Sequence, residues 1–253
     1  MIPFIPLAHL GAFGTAYSQS DLIGKVIILG LIALSAICWV VLIHKIRMTR
    51  HVRTLSSAFA VAVEKQASPV LQLELNQLPK PNKQQIPHPF GKIFQELKQK
   101  TIEILNKNHY FIAQQSPKES AQVYLSPHDL EIVETHVLTE ISAQKKQLEK
   151  HLYILSTITT LAPFLGLLGT VWGILVTFSE LHAGGSVGSN MAVLGGISTA
   201  LATTVLGLII AIPALISYNY LKSALATYSS DMEDFLYRLL SSIELQYRRV
   251  ETP

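Results

Sequence analysis

Charge is what this 253-residue chain has least of: Asp, Glu, Lys and Arg make up 15% of it, against about a quarter of an ordinary soluble domain. With 49% hydrophobic residues and a mean hydropathy of +0.34, that shortage excludes a plain water-soluble globule. Cysteine is almost missing too. The single one, Cys38, lies in an apolar run, so neither an intrachain disulfide nor a cysteine-based zinc site is available. A Gly-rich phosphate loop, an HExxH stretch and paired-cysteine spacing are all absent, so neither enzyme chemistry nor a cofactor is expected. Nine histidines are scattered, and the pair His128 and His136 has no acidic or cysteine partner at ligand spacing. They read as solvated surface residues, and no metal is expected. The net charge of +3 is spread along the chain without interleaved aromatics, so nucleic acid is not an expected partner.

What the chain does have is three long apolar runs, at 22–44, 152–179 and 191–220. Each can cross about 30 Å of hydrocarbon. A cleavable signal peptide is disfavoured, because residues 1–21 carry no Lys or Arg and Lys25 already lies within the first run. Lys45, Arg47, Arg50 and Arg53 crowd the end of that run, and Lys145, Lys146 and Lys150 precede the second. The connection 180–190 has no Lys or Arg. Basic residues gather on the inner side of membranes. The expected topology is therefore an outer, periplasmic segment 1–21, a cytoplasmic segment 45–151, an outer turn 180–190 and a cytoplasmic tail 221–253.

Between the first two spans, residues 66–91 hold Pro69, Pro79, Pro81, Pro87 and Pro89 and read as a linker or irregular loop. A helix is expected before it, over 45–65, and another over 92–114. Ser126-Pro127-His128-Asp129 supplies a cap residue, a proline at the first helical position and an acid in the first turn. Leu130, Val133, Val137, Ile141, Leu148 and Leu152 follow at helical spacing with no Gly or Pro, which predicts one continuous helix into the second span. Leu221, Leu225, Met232, Phe235, Leu239 and Ile243 likewise continue the third span. The expected fold is an all-α membrane protein with three transmembrane helices, the second and third extended into the cytoplasm as a long helical hairpin bundle.

The second and third spans are small and hydroxylated but uncharged. Thr159, Pro163, Gly166, Thr170, Gly173 and Thr177 fall on one helical face, and the third span offers Gly195, Gly196, Ser198, Thr199, Thr203, Thr204 and Gly207. Two readings fit. Gly, Ala, Ser and Thr let membrane helices approach closely, with hydroxyls bonded to their own backbone; alternatively, so many hydroxyls line a polar path. Proton paths ordinarily use an ionisable membrane residue, yet no Asp, Glu or Arg lies within the three spans, Lys25 is peripheral, and Glu180 sits at a boundary. If the chain works with protons, a partner must supply the titrating group. Pro163 and Pro213 fit either static kinks or hinges. Trp172 fits a packing knob or a gate, Trp39 and Tyr153 fit interfacial anchors or packing residues, and Glu180 and His182 fit exposed turn residues or outer proton acceptors.

The run LAPFLGLLGTVWGILVTF, the short loop after it and GGISTALATTVLGLIIAIPALISYNYL resemble the MotA/TolQ/ExbB proton-channel family over residues 150–222, and the three-span topology matches. The first span, SDLIGKVIILGLIALSAICWVVLIHK, looks more like TolQ than ExbB. The resemblance implies an inner-membrane stator: a homo-pentamer around a dimer of a single-span TolR/ExbD-like protein whose membrane aspartate is the carboxylate missing here. It further implies rotation or rearrangement driven by the proton-motive force, and work passed toward the outer membrane, in some systems through a TolA/TonB-like protein. Thr170 and Thr204 match the family threonines that would face that aspartate, with Thr199 and Thr203 beside them and Gly166, Gly169, Gly173, Pro163 and Pro213 as packing or hinge positions. One departure stands out: where relatives read a stretch like GIAEAL, this chain has Gly196-Ile197-Ser198-Thr199-Ala200-Leu201, so Thr199 replaces an acid. Competing readings are a passive membrane scaffold and a small-solute transporter, the latter disfavoured by the lack of an internal repeat.

Overall fold

The computed structural model describes residues 14, 16–18, 20–65, 70–73, 88–115, 124–182 and 189–247. Most of the N-terminal segment, most of the proline-rich stretch and residues 183–188 of the turn lie outside them. After a short helical stretch at 16–18, the described residues form α1 (Leu22–Lys65), a 3-10 turn (Val70–Gln72), α2 (Pro89–Gln115), α3 (Pro127–Glu149), α4 (Leu152–His182) and α5 (Ser189–Tyr247). The fold is all-helical, and α1, α4 and α5 are each long and apolar enough to cross a membrane. The chain divides into two compact units, residues 1–45 with 151–221 and residues 46–150 with 222–253.

In the first unit α1 begins where it does because Asp21 caps it. Its Oδ1 accepts the Gly24 N–H at 2.9 Å, while its carbonyl accepts the Lys25 N–H at 3.0 Å, satisfying donors that the first turn leaves without helical partners. Leu31, Leu155, Ile158 and Leu221 of this unit are fully buried, but around the middle of α4 and α5 burial inverts the pattern of a soluble protein. The outward faces carry Phe164, Leu167, Val171, Leu175, Leu208, Ile212 and Ile216, whereas the interior holds Ala162, Gly166, Gly169, Thr170, Thr177, Ala200, Thr203 and Ala214. Large side chains point toward a lipid-like exterior, and small ones let the helices meet. Pro163 and Pro213 lie inside α4 and α5, each removing one backbone donor.

The second unit buries its apolar stripes against one another. Val133, Val137, Ile141 and Leu148 of α3 are buried, as are Leu225, Met232, Phe235, Leu239 and Ile243 of α5. Phe59, Phe90, Phe94, Tyr228 and Phe235 make an aromatic cluster, with Phe90 stacked on Phe235 at 4.5 Å between centroids. Inside it, the buried Ser56 and Tyr228 hydroxyls hydrogen-bond to each other, and burial pushes the Tyr228 phenol well above its ordinary value. Ser126 caps α3 as the sequence indicates: its Oγ accepts the Asp129 N–H at 3.1 Å, and Asp129 Oδ2 accepts the Ser126 N–H at 2.9 Å.

Two expectations need correction. The helix that starts at Ser126 does not run unbroken into the second span: α3 stops at Glu149, and His151 takes φ 70° before α4 starts at Leu152. His is among the few non-glycine residues enriched in that left-handed region, and a residue in it ends a helix as a C-terminal glycine does, so no Gly or Pro was needed. Helix α2 starts at Pro89, three residues before the expected start and inside the expected linker. Proline at a first helical position lacks a donor that would be unpaired there anyway.

Candidate functional site

The hydroxyls and glycines picked out by sequence come together in the first unit, where α4 meets α5. The contact is made by missing side chains. A Cβ on Gly166 would lie 2.9 Å from the Thr203 carbonyl oxygen and 2.9 Å from Thr204 Cα, and one on Gly207 would lie 2.6 Å from the Ala162 carbonyl oxygen. Gly173 faces Ala200, Gly169 faces the Thr203 side chain, and Gly196 faces the Thr177 hydroxyl. Backbones this close can exchange polar contacts directly. Thr203 Oγ1 shares its one hydrogen between the Ala200 carbonyl at 2.7 Å and the Gly166 carbonyl at 3.1 Å, and Thr204 Oγ1 donates to the same Gly166 carbonyl at 2.9 Å. Thr170 and Thr177 bond within α4, to Leu167 at 2.7 Å and Gly173 at 2.8 Å. Buried polar groups need such partners, because unpaired they cost several kcal/mol in hydrocarbon.

Beside this seam lies a cavity of about 390 Å³, whose lining includes Gly169, Gly173, Thr177, Thr199, Ala200 and Thr203, together with Ser20, Asp21, Gly24, Trp172 and Glu180. Thr199 and Thr203 therefore face open space. Thr170 and Thr204 are not among the lining residues and sit in the packed seam. The residue that sequence reasoning missed is Asp21, one position outside the first run, whose Oδ2 accepts the Trp172 indole N–H at 2.8 Å. A cap signal, Ser-Asp directly before an apolar run, was present; its tryptophan partner, 151 positions away, was not readable.

His128 and His136 of the second unit pair with carboxylates instead. His136 pairs with Glu96 at 3.3 Å and His128 with Glu131 at 3.5 Å, so both histidines do find a carboxylate, on the surface and apart from each other. Among the described residues no group of three His, Cys, Asp or Glu side chains is placed to hold a metal.

A family model described as the MotA/TolQ/ExbB proton channel family matches residues 94–234, more than half of the chain. The chain is 48% identical over 77 residues to a biopolymer transport protein ExbB of Aquifex aeolicus, covering 30% of this chain and 51% of the relative. It is 43% identical over 89 residues to the ExbB of Helicobacter pylori, covering 35% and 61%. For the ExbB of Xanthomonas campestris the figures are 35% over 112 residues, covering 42% and 44%. The chain thus spans about half the length of the relatives it matches. These relatives carry the name ExbB, while the first span, which looks like TolQ, lies outside the matched residues.

Proposed function

The chain belongs to the MotA/TolQ/ExbB proton channel family, and on that premise we propose that it is the stator subunit of a TolQ/ExbB-like motor in the bacterial inner membrane. It is a channel-family protein, not an enzyme. In this reading five copies surround a dimer of a single-span TolR/ExbD-like partner, the N-terminus faces the periplasm, and the proton-motive force drives the partner to transmit work toward the cell envelope, with a TolA/TonB-like protein as a further link. The observation that carries it is the pairing of two facts. The membrane-spanning residues offer no carboxylate of their own, yet the hydroxyls of Thr170, Thr203 and Thr204 gather on α4 and α5 beside a cavity that Thr199 also lines. The hydroxyls can position a titrating group but cannot be one, and the cavity's carboxylates, Asp21 and Glu180, lie outside the spans, so in this reading the acid at membrane depth comes from the partner.

The close glycine contacts favour a second reading, a scaffold whose helices merely pack. Thr→Val at positions 170 and 204 separates the two. Valine keeps the shape, and Thr203 still donates to the Gly166 carbonyl, so assembly should persist in both cases. Proton-coupled function should be lost only in the stator; a normally active double variant refutes the proton path. Native mass spectrometry of the complex purified through a tag on this chain tests the stoichiometry. Five copies with two copies of a single-span protein bearing a membrane aspartate is the expected result, and a homo-oligomer without such a partner would overturn it.

A further inference from the structure

The cavity of the first unit does not end at the threonines. Along α4 its lining runs from Gly169 to Glu180, about 16 Å at the helical rise of 1.5 Å per residue. It joins the exposed carboxylates Asp21 and Glu180 to Thr203, which is only 4% exposed. Most of its wall is glycine, alanine and threonine, so its volume exists because side chains are missing. Trp172 is the bulkiest residue in that wall. An indole free to turn could fill much of the space that the glycines leave.

What holds the indole is Asp21. Its two carboxylate oxygens are committed in different directions, Oδ1 to the Gly24 N–H that begins α1 and Oδ2 to the Trp172 N–H on α4. A side chain bonded from two sides is confined to one rotamer well, and an ionised acceptor makes the stronger kind of hydrogen bond. Gly24 is itself part of the arrangement, because a Cβ there would lie 3.0 Å from Asp21 Oδ1.

We propose that the Asp21–Trp172 hydrogen bond is a latch that fixes the start of α1 to α4 and holds the Trp172 ring at the wall, keeping the cavity open as the outer vestibule leading to Thr199 and Thr203. This rests on the proton-channel reading above. Asp21 and Trp172 are positioning residues. Neither carries the proton inward.

The test has two readouts. In the full chain carrying Trp39→Phe, Trp172 is the sole remaining tryptophan, and its emission in phosphatidylethanolamine–phosphatidylglycerol vesicles should shift when Asp21→Ala is added. In the tagged complex purified with its native partners and reconstituted into vesicles, Asp21→Ala and Trp172→Phe should each lower proton flux about tenfold, the scale of losing one hydrogen bond to a charged group. The double variant should be no worse than Asp21→Ala, because that change already removes the indole bond along with the Gly24 cap. Trp172→Phe is the discriminating variant, since it keeps the Asp21 carboxylate and its Gly24 bond while removing the indole N–H together with part of the ring. An unshifted emission in Asp21→Ala, wild-type flux in either single variant, or losses that multiply in the double variant would overturn the latch. If the wild-type complex itself conducts no protons, the channel reading fails, and the emission shift alone decides whether the latch exists.

Discussion

Replacing Gly166 by Ala should separate α4 from α5, and its size can be worked from the contacts. The new Cβ would stand 2.9 Å from the Thr203 carbonyl oxygen and from Thr204 Cα, whereas ordinary contacts begin at 3.4 Å. Both obstacles are backbone atoms, so no rotamer change relieves the clash. The backbones must part by about 0.5 Å, which takes the 3.1 Å bond from Thr203 to the Gly166 carbonyl beyond hydrogen-bond range. Overpacking costs about 1–3 kcal/mol, and each weakened interhelical bond adds about 0.6 kcal/mol, so a loss of about 2–3 kcal/mol is expected. Gly30 is the control: a Cβ there meets nothing within 4 Å, and Ala is better than Gly inside a helix by about 0.8–1 kcal/mol. Unfolding by SDS of the full chain carrying Trp39→Phe, followed by Trp172 emission, reads both. Gly166→Ala as resistant as wild type, or Gly30→Ala equally weakened, would refute the reasoning.

Tyr228→Phe strands the buried Ser56 hydroxyl and should cost about 1–3 kcal/mol, whereas Tyr228→Phe with Ser56→Ala should recover most of that loss in urea melts of the detergent-solubilised chain. Burial alone would raise the Asp129 carboxyl, but bonds from the Ser126 backbone and side chain and from Asn108 outweigh it and hold the group below its ordinary value. Its contribution is therefore fully present above about pH 4 and is lost as pH falls through the native value; Asp129→Ala should cost about 1 kcal/mol at pH 7, and its gap to wild type should narrow as the pH is lowered below about 4. His151→Gly should be neutral or stabilising and His151→Val should cost at least about 1 kcal/mol, because only the first accepts φ 70° without strain; equal melts for the two would contradict the local account.

The apolar runs, the stripes at helical spacing and the Ser126 cap were all legible, because each is a local pattern with a local cause. Leu225, Met232, Phe235, Leu239 and Ile243 were read as one face, and all are buried. The break at His151 was not legible, since a left-handed histidine leaves no mark in a sequence that otherwise suits a helix. Within the site, the shared face of Gly166, Thr170 and Thr177 followed from periodicity. Which threonine meets which carbonyl did not: that Thr203 and Thr204 both reach Gly166, and that Thr199 rather than Thr204 faces the cavity, depends on the register between α4 and α5. Asp21 was passed over because it precedes the first span, and its meaning comes from a tryptophan far along the chain.

The threonine seam also has a direction. A hydroxyl has one hydrogen to give and two lone pairs to receive with, and at Thr170, Thr203 and Thr204 that hydrogen is already given to a backbone carbonyl. What these groups still offer is acceptance only. A neutral carboxylic acid, a water or a hydronium arriving beside them finds a place to donate. A carboxylate finds none unless a helix-to-helix or helix-internal bond is broken first. In the proposed stator, the seam would therefore offer partners to the protonated form of an acid brought to it and none to the ionised form, which would seek its donors elsewhere.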